Sequence, residues 1–167
     1  MFGRDELRAD GDEVVAQAWT ALVSDERDCA LAIVNDSTYG SDAKDGEARI
    51  SLLRSPAYSG HPIRDRDIVP QDRFTPRIDQ GERLYRFRLL GGSVDAVLGS
   101  VEREAAALNQ PPMALSFFPS GAGETVRPAV EIAAPTIVLT ALKKAESDDA
   151  LVARLHETSG RACETEV

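Results

Sequence analysis

The chain has 167 residues, 28 acidic and 19 basic side chains, and a formal net charge of −9. That length suits one ordinary domain, and a chain of this size buries roughly 70% of its unfolded surface, so it can fold without metal or disulfide staples. The acidic balance argues against a phosphate-backbone partner and against an anionic membrane surface, both of which call for clustered Lys and Arg. The partners expected therefore include no nucleic acid and no membrane. The longest apolar run, Cys29-Ala30-Leu31-Ala32-Ile33-Val34, is far short of a membrane span. Met1 to Glu6 show neither a basic n-region nor an apolar h-region, and Cys29 and Cys163 make no disulfide framework. The expectation is two reduced thiols in a cytoplasmic protein.

Short strands broken by turns dominate the chain. Residues 30–34 read as a buried strand, followed by the turn-rich Asn35-Asp36-Ser37-Thr38-Tyr39-Gly40. Asp45-Gly46 is a hairpin signal, with a strand expected over residues 49–53. Residues 55–81 carry Pro56, Pro62, Pro70 and Pro76 with little apolar periodicity, and read as a long loop. Residues 84–89 alternate, which predicts a half-buried antiparallel strand with Tyr85, Phe87 and Leu89 inward and Arg86 and Arg88 outward. One helix is expected. Val94, Val97, Leu98, Val101, Ala105 and Leu108 share a helical face, Ser93 can cap the start, and Asn109 with Pro111-Pro112 stops it. Strands are expected over residues 113–118, 129–133 and 136–142. Residues 141–157 read as a hairpin around Glu146-Ser147-Asp148-Asp149, with a helix as the alternative.

Catalytic constellations are hard to find by spacing. His61 and His156 are far apart and the two Cys are distant, which predicts no transition-metal site made by this chain alone. No Gly-x-Ser-x-Gly elbow is present, and Gly91-Gly92-Ser93 and Gly121-Ala122-Gly123 match no phosphate loop. With 28 acids, paired carboxylates cannot be assigned by counting. Catalytic residues and metal ligands in this chain are therefore both expected to be none.

Several stretches together resemble one family. Leu31 to Gly40 is similar to an Asn-Asp-Ser-Lys-Tyr-Gly segment of family 38 α-mannosidases, and Ile50-Ser51-Leu52-Leu53-Arg54-Ser55-Pro56-Ala57-Tyr58 follows it at the family's spacing. Asp79-Gln80-Gly81-Glu82, Leu108-Asn109-Gln110-Pro111-Pro112, Val138 to Glu146 and Arg154 to Arg161 resemble further family segments in the same order, and Gln17-Ala18-Trp19 resembles one upstream. The resemblance runs from about residue 16 to residue 167. Thr38 stands where Lys is usual, His156 where Tyr or Phe is common, and the helix lacks the usual Trp near its start, which leaves subgroup and substrate open. The stretch 61–83 resembles a version found in some bacterial members.

The resemblance implies a mainly β fold: an antiparallel β-sandwich of the galactose mutarotase-like or glycosidase-accessory type, with one helix near 93–109. Residues 1–167 would form a single β-rich domain from the C-terminal region of a larger enzyme. The family's retaining mechanism uses two carboxylates, a nucleophile and an acid/base, to cleave terminal α-D-mannose. Those carboxylates and the zinc, or another divalent metal, lie in an N-terminal barrel that this chain lacks. Residues 162–167 alternate like a strand, so the sheet is expected to continue past them, and the exposed edge to drive homo-oligomer formation. Expected partners are the N-terminal catalytic domain of the same enzyme and an α-mannoside substrate. The alternative is a stand-alone carbohydrate-binding or interaction β-sandwich.

Four residues stand out as substrate-lining or domain-interface candidates: Asn35, Asp36, Tyr39 and Arg54. Each has a plainer reading beside it. Asn35 and Asp36 can form an Asx-turn, with Gly40 supplying a positive φ. Arg54 can pair with a loop Asp. His61 and Arg73 read as loop-ordering or interface groups. Trp19, the only Trp, can stack on a sugar or belong to the core. Glu157, followed by Thr158-Ser159-Gly160, reads as satisfying a turn.

Overall fold

Alternation in the stretch after Asp28 creates the centre of the protein. In β3 (Cys29–Asn35) the residues Ala30, Ala32 and Val34 point to one face and are buried. β2 (Trp19–Ser24) pairs antiparallel on one side, Trp19 opposite Val34, and β6 (Phe87–Gly92) on the other, Gly92 opposite Ala30. The helix α1 (Val94–Asn109) lies across this face. Val97, Val101 and Ala105 recur every four residues and meet the three β3 side chains. Small residues on both elements allow the close approach. Trp19 packs against this cluster while its Nε1 donates to Glu102 Oε1 at 3.0 Å, so it is a core residue with a polar tip. The structure, a computed structural model, describes residues 4–56, 74, 76–116 and 127–167.

The helix begins and ends as its sequence predicts. Ser93 is the cap, its Oγ accepting from the Ala96 N–H, and Asp28 Oδ1 accepts from the Val94 N–H. At the far end Asn109 Nδ2 donates to Ala105 O and to Asn35 O, both at 2.9 Å. The end of α1 is thereby tied to the end of β3.

A second sheet joins β1 (Val14–Val15), β4 (Gly40–Lys44) and β5 (Glu47–Ile50) in the order β1-β4-β5. Asp45 and Gly46, at φ +52° and +80°, make the two-residue turn that Asp-Gly predicts. The sheets touch where buried Thr20 and Ser41 share a hydroxyl–hydroxyl bond of 3.3 Å. β7 (Ile137–Lys144) and β8 (Leu151–Glu157) form an antiparallel hairpin with an irregularity at Thr140. The hairpin reading holds, and the helix alternative does not. Among the described residues the protein is mainly β with antiparallel sheets and a single helix, consistent with a β-sandwich-like domain. No helix among them is long and apolar enough to cross a membrane.

Several expectations are corrected. The strand expected over 84–89 starts later, at Phe87, and its faces are reversed: α1 covers the face bearing Arg88 and Leu90, while Leu89 is 66% exposed. Arg88 is tolerated beside the helix because it pairs with Glu104. The strand expected over 49–53 ends at Ile50. Residues 113–116 and 129–133 form no strand, and Met113 is 93% exposed. Their flanking prolines remove ladder donors. The rest of the stretch 113–118 lies outside the described residues. Residues 162–167 are also not a strand; instead Glu166 O accepts from the Ala133 N–H at 3.2 Å. Cys29 and Cys163 are free and exposed. Most of the long loop lies outside the described residues, as does Gly121-Ala122-Gly123.

Glu157 closes the turn after β8. The Ser159 N–H and hydroxyl reach Oε1 at 2.8 and 2.5 Å, and the Gly160 N–H reaches Oε2 at 2.7 Å. The Ser159 hydroxyl does most to hold its carboxyl down, from the ordinary 4.5 to about 2, aided by the two backbone donors and against some desolvation. A folded pKa below the unfolded one stabilises fully above about 4.5, and that contribution is lost as pH falls through about 2. Ser159→Ala is expected to raise the Glu157 pKa back toward 4.5, read from the carboxyl carbon shift in an NMR titration. An unchanged value would show that the hydroxyl is not the cause.

Candidate functional site

The turn after β3 is built around a buried amide. Asn35 is 1% exposed. With its amide nitrogen turned toward Gln17 O and Thr38 O it donates twice, at 3.3 and 3.1 Å. The opposite orientation offers one bond, from the Thr38 N–H to Oδ1 at 3.3 Å, so the first is assigned. The positive φ of this turn falls on Ser37, at +67°, and not on Gly40. Gly40 serves a different need: a Cβ there would lie 2.7 Å from Glu13 Oε1 and 3.1 Å from Ser51 Cβ. Asp36 pairs with Arg86, whose Nε and Nη2 both lie 2.6 Å from Oδ2.

Beyond β5 the chain leaves the sheet as Leu52-Leu53-Arg54. Among the described residues Arg54 pairs with Glu13, which also accepts from Ser51 Oγ; the Asp residues of the long loop other than Asp79 lie outside the described residues. Ser55 and Pro56 are stapled to a later stretch. Ser55 Oγ donates to Ile78 O at 2.7 Å, Gln80 Nε2 donates to Ser55 Oγ at 2.6 Å, and the Ile78 N–H donates to Pro56 O at 3.0 Å. The following backbone turns sharply, with Asp79 at φ +58° and Gly81 at +113°. Arg83 pairs with Asp79 at 3.0 Å.

These three stretches enclose an open groove of about 440 Å³. Ser37 contributes from the turn, Leu52, Leu53 and Arg54 from the stretch after β5, and Asp79, Glu82, Arg83 and Tyr85 from the approach to β6. Carboxylates accept from hydroxyls, guanidinium groups donate to them, and Tyr85 and the leucines offer an apolar surface. Such a lining suits a small hydroxyl-rich ligand.

Of the described residues singled out in the sequence as site candidates, the structure brings only Arg54 to this groove. Asn35 lies buried and shapes the turn, Asp36 is engaged by Arg86, and Tyr39 is exposed without lining the groove. His61 and Arg73 lie outside the described residues. Sequence reasoning missed Glu13, Glu82, Arg83 and Tyr85. For Glu82 a signal existed in the Asp79-Gln80-Gly81-Glu82 stretch. For Glu13 there was none, since its partner Arg54 is 41 positions away.

No protein-family model and no solved structure matches the chain. Two curated proteins do. Alpha-mannosidase 2C1 from Homo sapiens is 30% identical over 151 residues, and alpha-mannosidase 2C1 from Mus musculus is 29% identical over 151 residues. Each match covers 89% of this chain but only 13% of the relative. Over most of its own length, then, the chain is similar to a limited region of an α-mannosidase, as a mannosidase-associated domain would be.

Proposed function

We propose that the chain is the C-terminal β region of a bacterial-type family 38 α-mannosidase, acting in the cytoplasm on terminal α-D-mannose. In that enzyme the groove end would complete the mannoside pocket and support the N-terminal catalytic domain. One observation carries this reading. Residues 31–40, 50–58 and 79–82, three of the stretches that resemble the family, are distant in sequence, yet each contributes to a single groove.

The reading implies zinc or another divalent metal in the full-length enzyme. Among the described residues no group of three or more His, Cys, Asp or Glu stands together to hold one. The described residues therefore do not fit the ion, and no chemical step is assigned to them through it. Their part is to bind and orient.

The purified chain is expected to show no turnover of an aryl α-mannoside, with or without added zinc. Release of the aryl alcohol followed by absorbance checks this. A rate clearly above buffer that disappears with a chelator would contradict the division of labour between this region and a separate catalytic part.

A further inference from the structure

The Arg54 side chain is 77% exposed. Such a guanidinium ordinarily offers a mobile positive charge to any anion. Here it is met by Glu13, which arrives from the segment before β1. One Glu13 oxygen, Oε2, takes Arg54 Nη2, and the other, Oε1, takes Ser51 Oγ. Gly40 leaves the room, because a Cβ there would fall 2.7 Å from Glu13 Oε1. The Ser51 N–H donates to Gly40 O at 2.9 Å and fixes that approach. Three positions thus hold one carboxylate against one guanidinium.

The other cation among the described groove residues, Arg83, is met by Asp79. With Glu82 also lining it, the described groove and its Glu13 partner hold two positive and three negative groups, a net charge of −1. The geometry points to Glu13 as a specificity-determining and positioning residue: it holds the Arg54 guanidinium at the groove and cancels its charge, so that the groove accepts neutral hydroxyl-rich ligands and refuses phosphorylated or carboxylated ones. A guanidinium already held loses less rotamer freedom when a ligand oxygen arrives. The inference rests on reading the groove as sugar-facing only for its purpose; the charge cancellation stands on the contacts themselves.

Inorganic phosphate is the probe, followed at the Arg54 Hε–Nε resonance of the chain labelled at arginine. In the unaltered protein phosphate leaves this resonance in place. Glu13→Gln keeps the volume and the contact with Ser51 but removes the charge, so phosphate moves the resonance, and the shift shrinks as salt is added. Glu13→Asp keeps the charge and behaves as the unaltered protein does. Equal phosphate shifts in the unaltered protein and in Glu13→Gln, or none in either, would overturn the proposal. Backbone amide spectra establish that the variants fold. Should Glu13→Gln fail to, Gly40→Ala displaces the carboxylate instead and carries the same expectation. A failure of mannoside binding would remove the sugar reading and leave the phosphate result unaffected, so the two are told apart.

Discussion

Val101→Asp is expected to abolish cooperative folding. Val101 is fully buried on α1 between Val97 and Ala105, facing Ala30, Ala32 and Val34. The buried apolar core contains just these six residues among those described, and none is larger than Val. A carboxylate placed there has no partner and displaces the contact that joins helix to sheet. The cost is several kcal/mol, against a total stability on the order of 5–15 kcal/mol for a domain. Leu89→Asp is the control, since Leu89 is on the open face of the same sheet. It is expected to shift stability by no more than about 0.5 kcal/mol. Urea titration followed by circular dichroism distinguishes them: a sigmoidal transition for the unaltered chain and for Leu89→Asp, and none for Val101→Asp. Equal effects would mean that the helix-covered face is not the core.

Much of this fold could be read from local pattern. The four-residue recurrence of Val97, Val101 and Ala105 gave the helix, and Ser93 and Asn109 its ends, because capping acts within one turn. Asp45-Gly46 gave a hairpin because its two left-handed positions favour those residues. What failed was decided by partners distant in sequence. Arg88 alternates as an outward residue would, yet it faces α1, because Glu104 neutralises it there. Residues 113–116 and 129–133 have the composition of strands, but they join no ladder among the described strands. At the site, Arg54 was legible and its partner was not. The role of Gly40 was mistaken for the same reason: its missing Cβ answers to Glu13, which sequence order hides.

Arg54→Ala is expected to remove mannoside binding at the groove. The guanidinium is the donor that the turn, the stretch after β5 and the approach to β6 surround. Hydrogen bonds from a charged donor contribute about 1.5–3 kcal/mol, roughly ten- to a hundredfold in affinity. In the proposed enzyme the open groove would supply only part of a pocket, so binding by the chain alone is expected to be weak from the start, and a loss of that size would carry it beyond detection. The stability of the variant is expected to change little, because the Arg54 pair with Glu13 is exposed.

The central claim, that this groove faces a mannoside, is tested most directly by an NMR titration of the chain with methyl α-D-mannopyranoside. The account predicts progressive amide shifts at Ser37, Arg54, Asp79, Glu82 and Tyr85, the residues that line the groove, and their disappearance in Arg54→Ala. Shifts confined to other surfaces, no shifts at all, or shifts that persist unchanged in Arg54→Ala would contradict it.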